Sequence, residues 1–302
     1  MSALLAVCAA RADAADALAG TLTGVGSDTV SALVARWAEA FRAVHPRVRV
    51  QVQASGSASA PTALIEGAAD FGSMSRPMNE TEIAAFQARH GHAPTQVVIA
   101  HDAIAVFVHP DNPLTHITLP QLDAIYSAAR RCGAPSPVRA WRDLGLDEAP
   151  LAASRVLASG RNDASGTYEM FREGALCGGD YRADVVAWPG NGAVVATVAT
   201  NREAIGYAGL GYVNGLVKPL ALARSDADAA VLPDRAAVTQ GRYPLSRALY
   251  LYVNRTASGR VADLPAAFLA YALSDAGQAL AQREGFMPLQ AHERDAQRAL
   301  LE

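Results

Sequence analysis

The sequence predicts an α/β fold, because short apolar segments alternate with amphipathic segments along most of its 302 residues. The first amphipathic segment, residues 30–44, follows Gly-Ser-Asp-Thr and places apolar residues at helical spacing. Alternating valines in residues 48–52 then predict a half-buried strand. Farther along, Asn79 and Glu82 have the spacing of a capping box, which predicts a helix that ends at Gly91.

The remaining apolar segments extend this alternation toward the end of the chain. We expect buried strands in six segments, which are 96–100, 104–108, 155–158, 204–208, 217–223 and 247–253. Two helices, 261–273 and 275–284, are expected to end the chain. No single linker separates two consecutive domains, so the sequence is compatible with a chain that crosses between two lobes more than once.

Composition and motifs exclude several classes of function. Hydrophobic residues make up 51% and charged residues 18% of the chain, which is typical of a globular protein. The net charge of -3 indicates no basic surface for a nucleic acid. The seven histidines lack metal-ligand spacing, and the nucleophile-elbow and P-loop signatures are absent. We therefore expect no enzymatic activity, no metal and no cofactor.

The N-terminal residues indicate export. Residues 1–14 resemble the end of a secretory signal, with an apolar run followed by small residues suited to cleavage. A periplasmic or otherwise exported protein is therefore expected, with residues 1–19 as a leader or its remnant. An ordinary N-terminus is one alternative, and a lipid anchor at Cys8 is a weaker one, because Val7 fits poorly before a lipoprotein cysteine.

Two cysteines remain once Cys8 is assigned to the leader. In an exported protein the even pair Cys132 and Cys177 predicts a disulfide. Two buried free thiols are the alternative. A metal site is not expected, because no histidine or cysteine lies at ligand spacing from either residue.

Three short polar segments each follow a predicted strand and precede a predicted helix. They are residues 24–29, 55–59 and 161–167. Unpaired backbone N–H groups at a helix N-terminus favour an anion, and the hydroxyls of Ser57, Ser165 and Thr167 would add donors. For any one segment, helix capping alone is the alternative. The three segments together predict an anion-binding site.

Two charged residues narrow the choice of anion. Arg161 could hold two oxygens of a tetrahedral anion, or it could form a salt bridge with Asp163. Asp70 suits an anion that carries a proton, because hydrogen phosphate can donate its P–OH to a carboxylate and sulfate cannot. A turn or strand-end role for Asp70 is the alternative. The sequence therefore predicts a hydrogen phosphate site.

These segments, in this order, resemble the substrate-binding protein of the bacterial phosphate ABC importer over roughly residues 20–290. The most diagnostic similarities are residues 161–167 and 70–77. The resemblance implies that Arg161 pairs with the anion, that Asp70 accepts its proton and that Asp163 orients Arg161. Donors to the phosphate oxygens would be Ser57, Ser165, Gly166 and Thr167.

Asp28 departs from the family pattern, which often has a hydroxyl residue at this position. Its side chain could point away and cap the helix, leaving the N–H groups of Asp28 and Thr29 to bind phosphate. Alternatively, its carboxylate could take part in recognising the phosphate proton. The sequence leaves both possibilities open.

The resemblance also implies a two-lobed periplasmic-binding-protein fold of type II, with a ligand cleft between lobes joined by two crossover strands. Residues 20–102 and 247–302 would form lobe 1, and residues 103–246 would form lobe 2. The implied function is delivery of phosphate, with arsenate as an analogue, to the permease subunits of an ABC importer by a monomeric protein. The alternative is a secreted or surface phosphate-binding protein used in sensing, adhesion or scavenging.

Overall fold

The computed structural model describes residues 18–147 and 149–302. Cys8 and most of the predicted leader lie outside these residues. The strands of the described chain are β1 (Gly20–Gly26), β2 (Val48–Gln53), β3 (Phe71–Met74), β4 (Thr95–Val108), β5 (His116–Thr118), β6 (Leu157–Arg161), β7 (Val186–Trp188), β8 (Ala204–Gly209), β9 (Lys218–Pro219), β10 (Ala221–Ala223) and β11 (Ser246–Val253). Its α-helices are α1 (Asp28–Val44), α2 (Ser59–Ile65), α3 (Glu80–His90), α4 (Leu119–Tyr126), α5 (Gly166–Ala175), α6 (Asn191–Ala199), α7 (Arg235–Thr239), α8 (Asp263–Ala272), α9 (Asp275–Arg283) and α10 (Ala291–Arg298).

The predicted α/β class is confirmed by one long mixed sheet with helices packed against it. Its strand order is β2-β1-β3-β11-β4-β8-β6-β7, and β9 pairs with β4. Strand β4 changes partner along its length: residues 95–103 pair with β11, and residues 104–108 pair with β8. The chain therefore passes through the middle of the sheet twice, once in β4 and once in β11.

The apolar core is divided into separate buried clusters. One buried cluster is drawn largely from the middle of the chain and includes Ile104, Trp141 and Phe171. Another is drawn from both ends of the described chain and includes Trp37 and Phe268. The lobe boundaries given above stay a prediction.

Several local predictions are confirmed. Helix α1 buries its apolar stripe, including Trp37, which donates its indole N–H to the carbonyl of Gly277 at 2.8 Å. The capping box of α3 is formed, because the Glu82 N–H donates to Asn79 Oδ1 and the Asn79 N–H donates to Glu82 Oε2, both at 2.9 Å. Gly91 ends this helix with a left-handed φ of 82°.

Two predictions about elements are wrong. Residues 96–100 and 104–108 belong to one strand, β4, because residues 101–103 between them also pair with β11. The chain also does not end with two helices, since α10 follows α9. Helix α10 has no buried apolar residue and is held by polar contacts, such as the Val98 N–H donating to Gln297 Oε1 at 2.8 Å, so apolar periodicity does not reveal it.

The predicted disulfide is confirmed. Cys132 and Cys177 are bonded, with their Cα atoms 5.5 Å apart. The bond links the loop after α4 to the second residue after α5. In residues 18–147 and 149–302, no helix is both long and apolar enough to cross a membrane.

Candidate anion-binding site

The three polar segments meet at the carboxyl ends of β1, β2 and β6, where parallel strands of an α/β sheet commonly place ligands. The Gly56 N–H donates to the carbonyl of Gly26 at 2.8 Å, and the Ala58 N–H donates to the carbonyl of Ala164 at 3.1 Å. Gly56 has a φ of +97°, and a Cβ there would lie 2.4 Å from the Ala164 carbonyl oxygen. Only glycine therefore allows the second and third segments to approach this closely.

Hydroxyl groups from the three segments line the meeting point. Thr29 Oγ1 and Thr167 Oγ1 are 3.1 Å apart, although 138 positions separate them in sequence. Ser57 is fully buried and bonded to Ser75, with 3.3 Å between the two Oγ atoms. Ser165 caps α5 by accepting from the Thr167 N–H at 3.1 Å. The structure thus brings four of the predicted hydroxyl residues together, and the N-terminus of α5 lies among them.

Arg161 is the last residue of β6, and only 1% of its surface is exposed. Its Nη2 donates to the carbonyl of Pro189 at 2.7 Å and to a carboxylate described below, and its Nε donates to the carbonyl of Trp188 at 3.3 Å. Its Nη1 is buried and has no hydrogen-bond partner among the described residues. A buried guanidinium nitrogen without a partner is costly, so this geometry favours an anion that accepts from it.

The carboxylate that pairs with Arg161 belongs to Asp28. The sequence had suggested Asp163 instead. Asp28 Oδ1 accepts from Arg161 Nη2 at 2.6 Å, and Asp28 Oδ2 accepts from Asn191 Nδ2 at 2.9 Å. The Asp28 side chain therefore points into the site and does not cap α1. Asp163 is exposed. Because the observed ion pair of Arg161 is with Asp28, the orienting role of Asp163 stays a prediction that no described contact supports.

Asp70 lies apart from this cluster. It precedes β3, is exposed and accepts from the Thr23 N–H at 2.7 Å. The residue that reaches the cluster is Ser75, which follows the other end of β3. At about 3.3 Å per residue, some 16 Å of extended chain separate the two residues. The prediction that Asp70 accepts the ligand proton is therefore not retained.

Sequence reasoning missed four residues that the structure brings to the site. They are Ser75, Asp102, Asn191 and Arg247. Asn191 begins α6 after β7 and Gly190, so the strand–glycine–helix pattern used for the other segments could have revealed it. Asp102 and Arg247 carry no local motif, because their proximity depends on the pairing of β4 with β11.

The charges near the site are balanced by pairs. Arg161 is matched by Asp28, and Arg247 by Asp102, whose carboxylate it contacts at 2.6 Å. Burial raises the pKa of Tyr212, and Asp28 adds to this effect, so the phenol stays a neutral donor to the Asp28 carbonyl at 2.8 Å. Within the part of the chain that the structure describes, no group of three acidic, histidine or cysteine side chains could hold a metal ion.

Comparisons with known proteins agree on one family. A family model described as a PBP superfamily domain matches residues 11–276. The phosphate-binding protein PstS of Pseudomonas aeruginosa is 44% identical over 277 residues, which cover 92% of this chain and 85% of that protein.

Solved structures of phosphate transport proteins are also similar to this chain. A putative phosphate ABC transporter substrate-binding protein from Clostridium perfringens, solved with bound phosphate, is 25% identical and has a TM-score of 0.74, covering 90% of this chain and 100% of that one. An ABC-type phosphate transport receptor from Vibrio cholerae, at 24% identity and a TM-score of 0.68, covers 89% of this chain and 100% of that one and shares the fold. The predicted two-lobed fold is thereby confirmed.

Proposed function

This chain belongs to the PBP superfamily and, within it, to the PstS family of phosphate-binding proteins, and on that premise we propose that it binds inorganic phosphate between its lobes and delivers it to an ABC importer. The observation that carries the proposal is the buried Nη1 of Arg161, which has no partner among the described residues. The same guanidinium is linked through Asp28 and Asn191 to the hydroxyl of Thr29, which meets that of Thr167. This arrangement offers a tetrahedral anion one charged donor and several neutral ones.

The N-terminus of α5 supports the same reading. Its first turn carries Gly166 and Thr167, both buried, and the partial positive charge of a helix N-terminus favours an anion. A Cβ on Gly166 would lie 2.5 Å from Ser57 Oγ and 2.7 Å from Ser75 Oγ, so the helix start is packed against the hydroxyls of the other segments. An anion bound here would contact residues from both sides of the cleft.

Discrimination between phosphate and sulfate needs an acceptor, because only hydrogen phosphate has a proton to donate. With Asp70 outside the cluster, we assign this role to Asp28. Its carboxylate is only partly exposed, at 16%, and its Oδ1 accepts from Arg161, the group we expect to hold the anion. A phosphate bound to Arg161 would therefore lie next to an oxygen that can accept its proton.

Titration of the purified protein by calorimetry tests the proposal. We expect binding of phosphate and arsenate near neutral pH, with much weaker binding of sulfate. Arg161→Ala and Thr167→Val should each weaken phosphate binding by tenfold or more, since each removes a donor to a charged ligand worth about 1.5–3 kcal/mol. Thr239→Val, the same change at an exposed position of α7, is the matched control. Unchanged affinity with both Arg161 and Thr167 replaced would refute the site.

Delivery to an importer is tested separately. The gene should restore growth on limiting phosphate to a bacterial strain that lacks its own phosphate-binding protein, and the Arg161→Ala form should not. The purified protein is expected not to hydrolyse a chromogenic phosphate ester, because catalysis has no part in this proposal. Phosphate binding without restoration of growth would contradict the transport role and leave the binding role intact.

A further inference from the structure

Arg247 and Asp102 form an ion pair between the two strands that cross the middle of the sheet. They are directly opposite each other in the register of β11 and β4. Arg247 Nε and Nη2 donate to Asp102 Oδ2 at 3.0 and 2.6 Å, and the side chains are 1% and 0% exposed. Because the desolvation of two charges offsets most of their attraction, such a pair is weak evidence for stability and suggests another role.

The remaining nitrogen of Arg247 reaches the proposed phosphate site. Arg247 Nη1 donates to Thr167 Oγ1 at 2.9 Å and to the Ser75 carbonyl at 3.3 Å. Ser75 follows β3, whereas Thr167 lies in the first turn of α5. One guanidinium therefore contacts both sides of the site, and Asp102 fixes its plane.

The direction of these hydrogen bonds determines where the hydroxyl protons go. A guanidinium can only donate, so Thr167 Oγ1 accepts from Arg247 and must send its own proton elsewhere. On the other side, Asn191 Nδ2 donates to Thr29 Oγ1 at 3.1 Å. The amide orientation follows from the Gly209 N–H, which donates to Asn191 Oδ1 at 3.0 Å.

The two threonine hydroxyls thus each accept from a fixed donor, and they are 3.1 Å from each other. They share two protons between them, and their mutual hydrogen bond uses only one. The second proton must be donated away from the pair. An anion held by Arg161 is the acceptor that the proposed function supplies.

We propose that Arg247 is a positioning residue for anion binding: clamped by Asp102, it donates to Thr167 Oγ1, so that the Thr29–Thr167 hydroxyl pair must donate its second proton toward the ligand. This inference depends on the proposed phosphate-binding function. It differs from a direct role, because Arg247 acts through Thr167 and need not contact the anion. Its effect should therefore vanish when the Thr167 hydroxyl is absent.

A double-mutant cycle measured by phosphate titration tests this dependence. In the otherwise unchanged protein, Arg247→Gln should raise the phosphate Kd about tenfold or more, as expected for loss of an oriented donor to a charged ligand. In a Thr167→Val background the same change should raise Kd by less than about twofold. Thr167→Ser, which keeps the hydroxyl, should restore the sensitivity to Arg247→Gln.

Controls separate this role from a structural one. Arg182→Gln removes another buried arginine, paired with Asp184, and should leave the phosphate Kd unchanged. If Arg247→Gln does not fold, Arg247→Gln with Asp102→Asn removes both charges together and replaces it in the cycle. Equal losses with and without the Thr167 hydroxyl, or no loss at all, would overturn the proposal. If the unaltered protein fails to bind phosphate, the proposed function fails first, independently of the cycle.

Discussion

Asp28 and Arg161 are 133 positions apart in the sequence and form an ion pair with 2.6 Å between Oδ1 and Nη2. The arginine side chain is fully buried, so its charge is matched by the protein before any ligand arrives. Asp28 also accepts from both the backbone N–H and the side-chain amide of Asn191, at 3.2 and 2.9 Å. The carboxylate therefore links α1 to β6 and α6 at the centre of the site.

Replacing the carboxylate of Asp28 tests its role in selectivity. We expect Asp28→Asn to reduce the free energy of unfolding by about 1–3 kcal/mol, because the new amide N–H₂ would face the donors of Asn191. The ratio of phosphate to sulfate affinity should fall, since the negative charge that disfavours an unprotonated anion is removed. Calorimetry with both anions and denaturant unfolding measure the two effects. An unchanged ratio would place proton recognition elsewhere.

Asp70 provides the contrasting case. Asp70→Asn should leave the phosphate Kd within about twofold of its original value, because the residue is exposed and outside the cluster. The amide oxygen can still accept from the Thr23 N–H, so the free energy of unfolding should change by less than about 0.5 kcal/mol. A loss of affinity comparable to that of Arg161→Ala would return Asp70 to the site.

Gly166 controls how closely the two sides of the site approach. Gly166→Ala should weaken phosphate binding by about tenfold or more, because its Cβ would meet Ser57 Oγ at 2.5 Å and hinder contact across the site. The helical position itself tolerates alanine, so little loss of helix stability is expected. Gly192→Ala, in the first turn of α6 with no atom within 4 Å of its Cβ, is the matched control for phosphate titration.

Glu169 in α5 forms an ion pair with Arg76, which follows β3. Arg76 also contacts Glu82 at 2.6 Å. Burial has the largest effect on the Glu169 carboxyl and raises its pKa despite the arginine beside it. Folding therefore favours the protonated Glu169 carboxyl. Its contribution to stability is fully present below the pKa of this carboxyl in the unfolded chain. That contribution is lost as the pH rises through the higher pKa of the folded protein.

Thermal unfolding between about pH 4 and pH 7 checks this sign. The Tm of Glu169→Gln relative to the unaltered protein should rise with pH, because glutamine does not ionise. Glu203→Gln, at an exposed position, is the control and should follow the unaltered protein. A relative Tm that falls with pH would mean that the ion pair with Arg76 outweighs burial.

The disulfide should contribute to stability and not to affinity. Cys132→Ser with Cys177→Ser should reduce the free energy of unfolding by up to about 4 kcal/mol, the chain-entropy value for a loop of this length. Phosphate affinity should be unchanged, because the bond lies near the C-terminus of α5 and the site at its N-terminus, about 15 Å apart for a ten-residue helix. Urea unfolding and calorimetry measure the two effects, and a large change in Kd would show that the bond orients α5.

Local patterns in the sequence were sufficient to predict most helices and strands and to select the three polar segments of the candidate site. Glycine and hydroxyl residues between a strand and a helix identify a helix N-terminus, because capping depends on atoms within a few residues of one another. The same locality explains the error at Asp70. Asp70 precedes the start of β3, whereas the proposed ligand lies at the carboxyl ends of the strands. The residue that follows the carboxyl end of β3 is Ser75, whose uncharged side chain gives no signal in the sequence.

By itself the sequence determined the α/β class and the disulfide pair, and it selected Arg161, Ser57, Ser165 and Thr167 as candidates for the anion site. Only the tertiary structure decided which carboxylate pairs with Arg161: it is Asp28, far away in the sequence, and not Asp163, two residues away. The Asp102–Arg247 pair was likewise decided by the register of β4 against β11. Capping and periodicity act within one segment, whereas the pairing of buried charges depends on the order in which distant strands join the sheet.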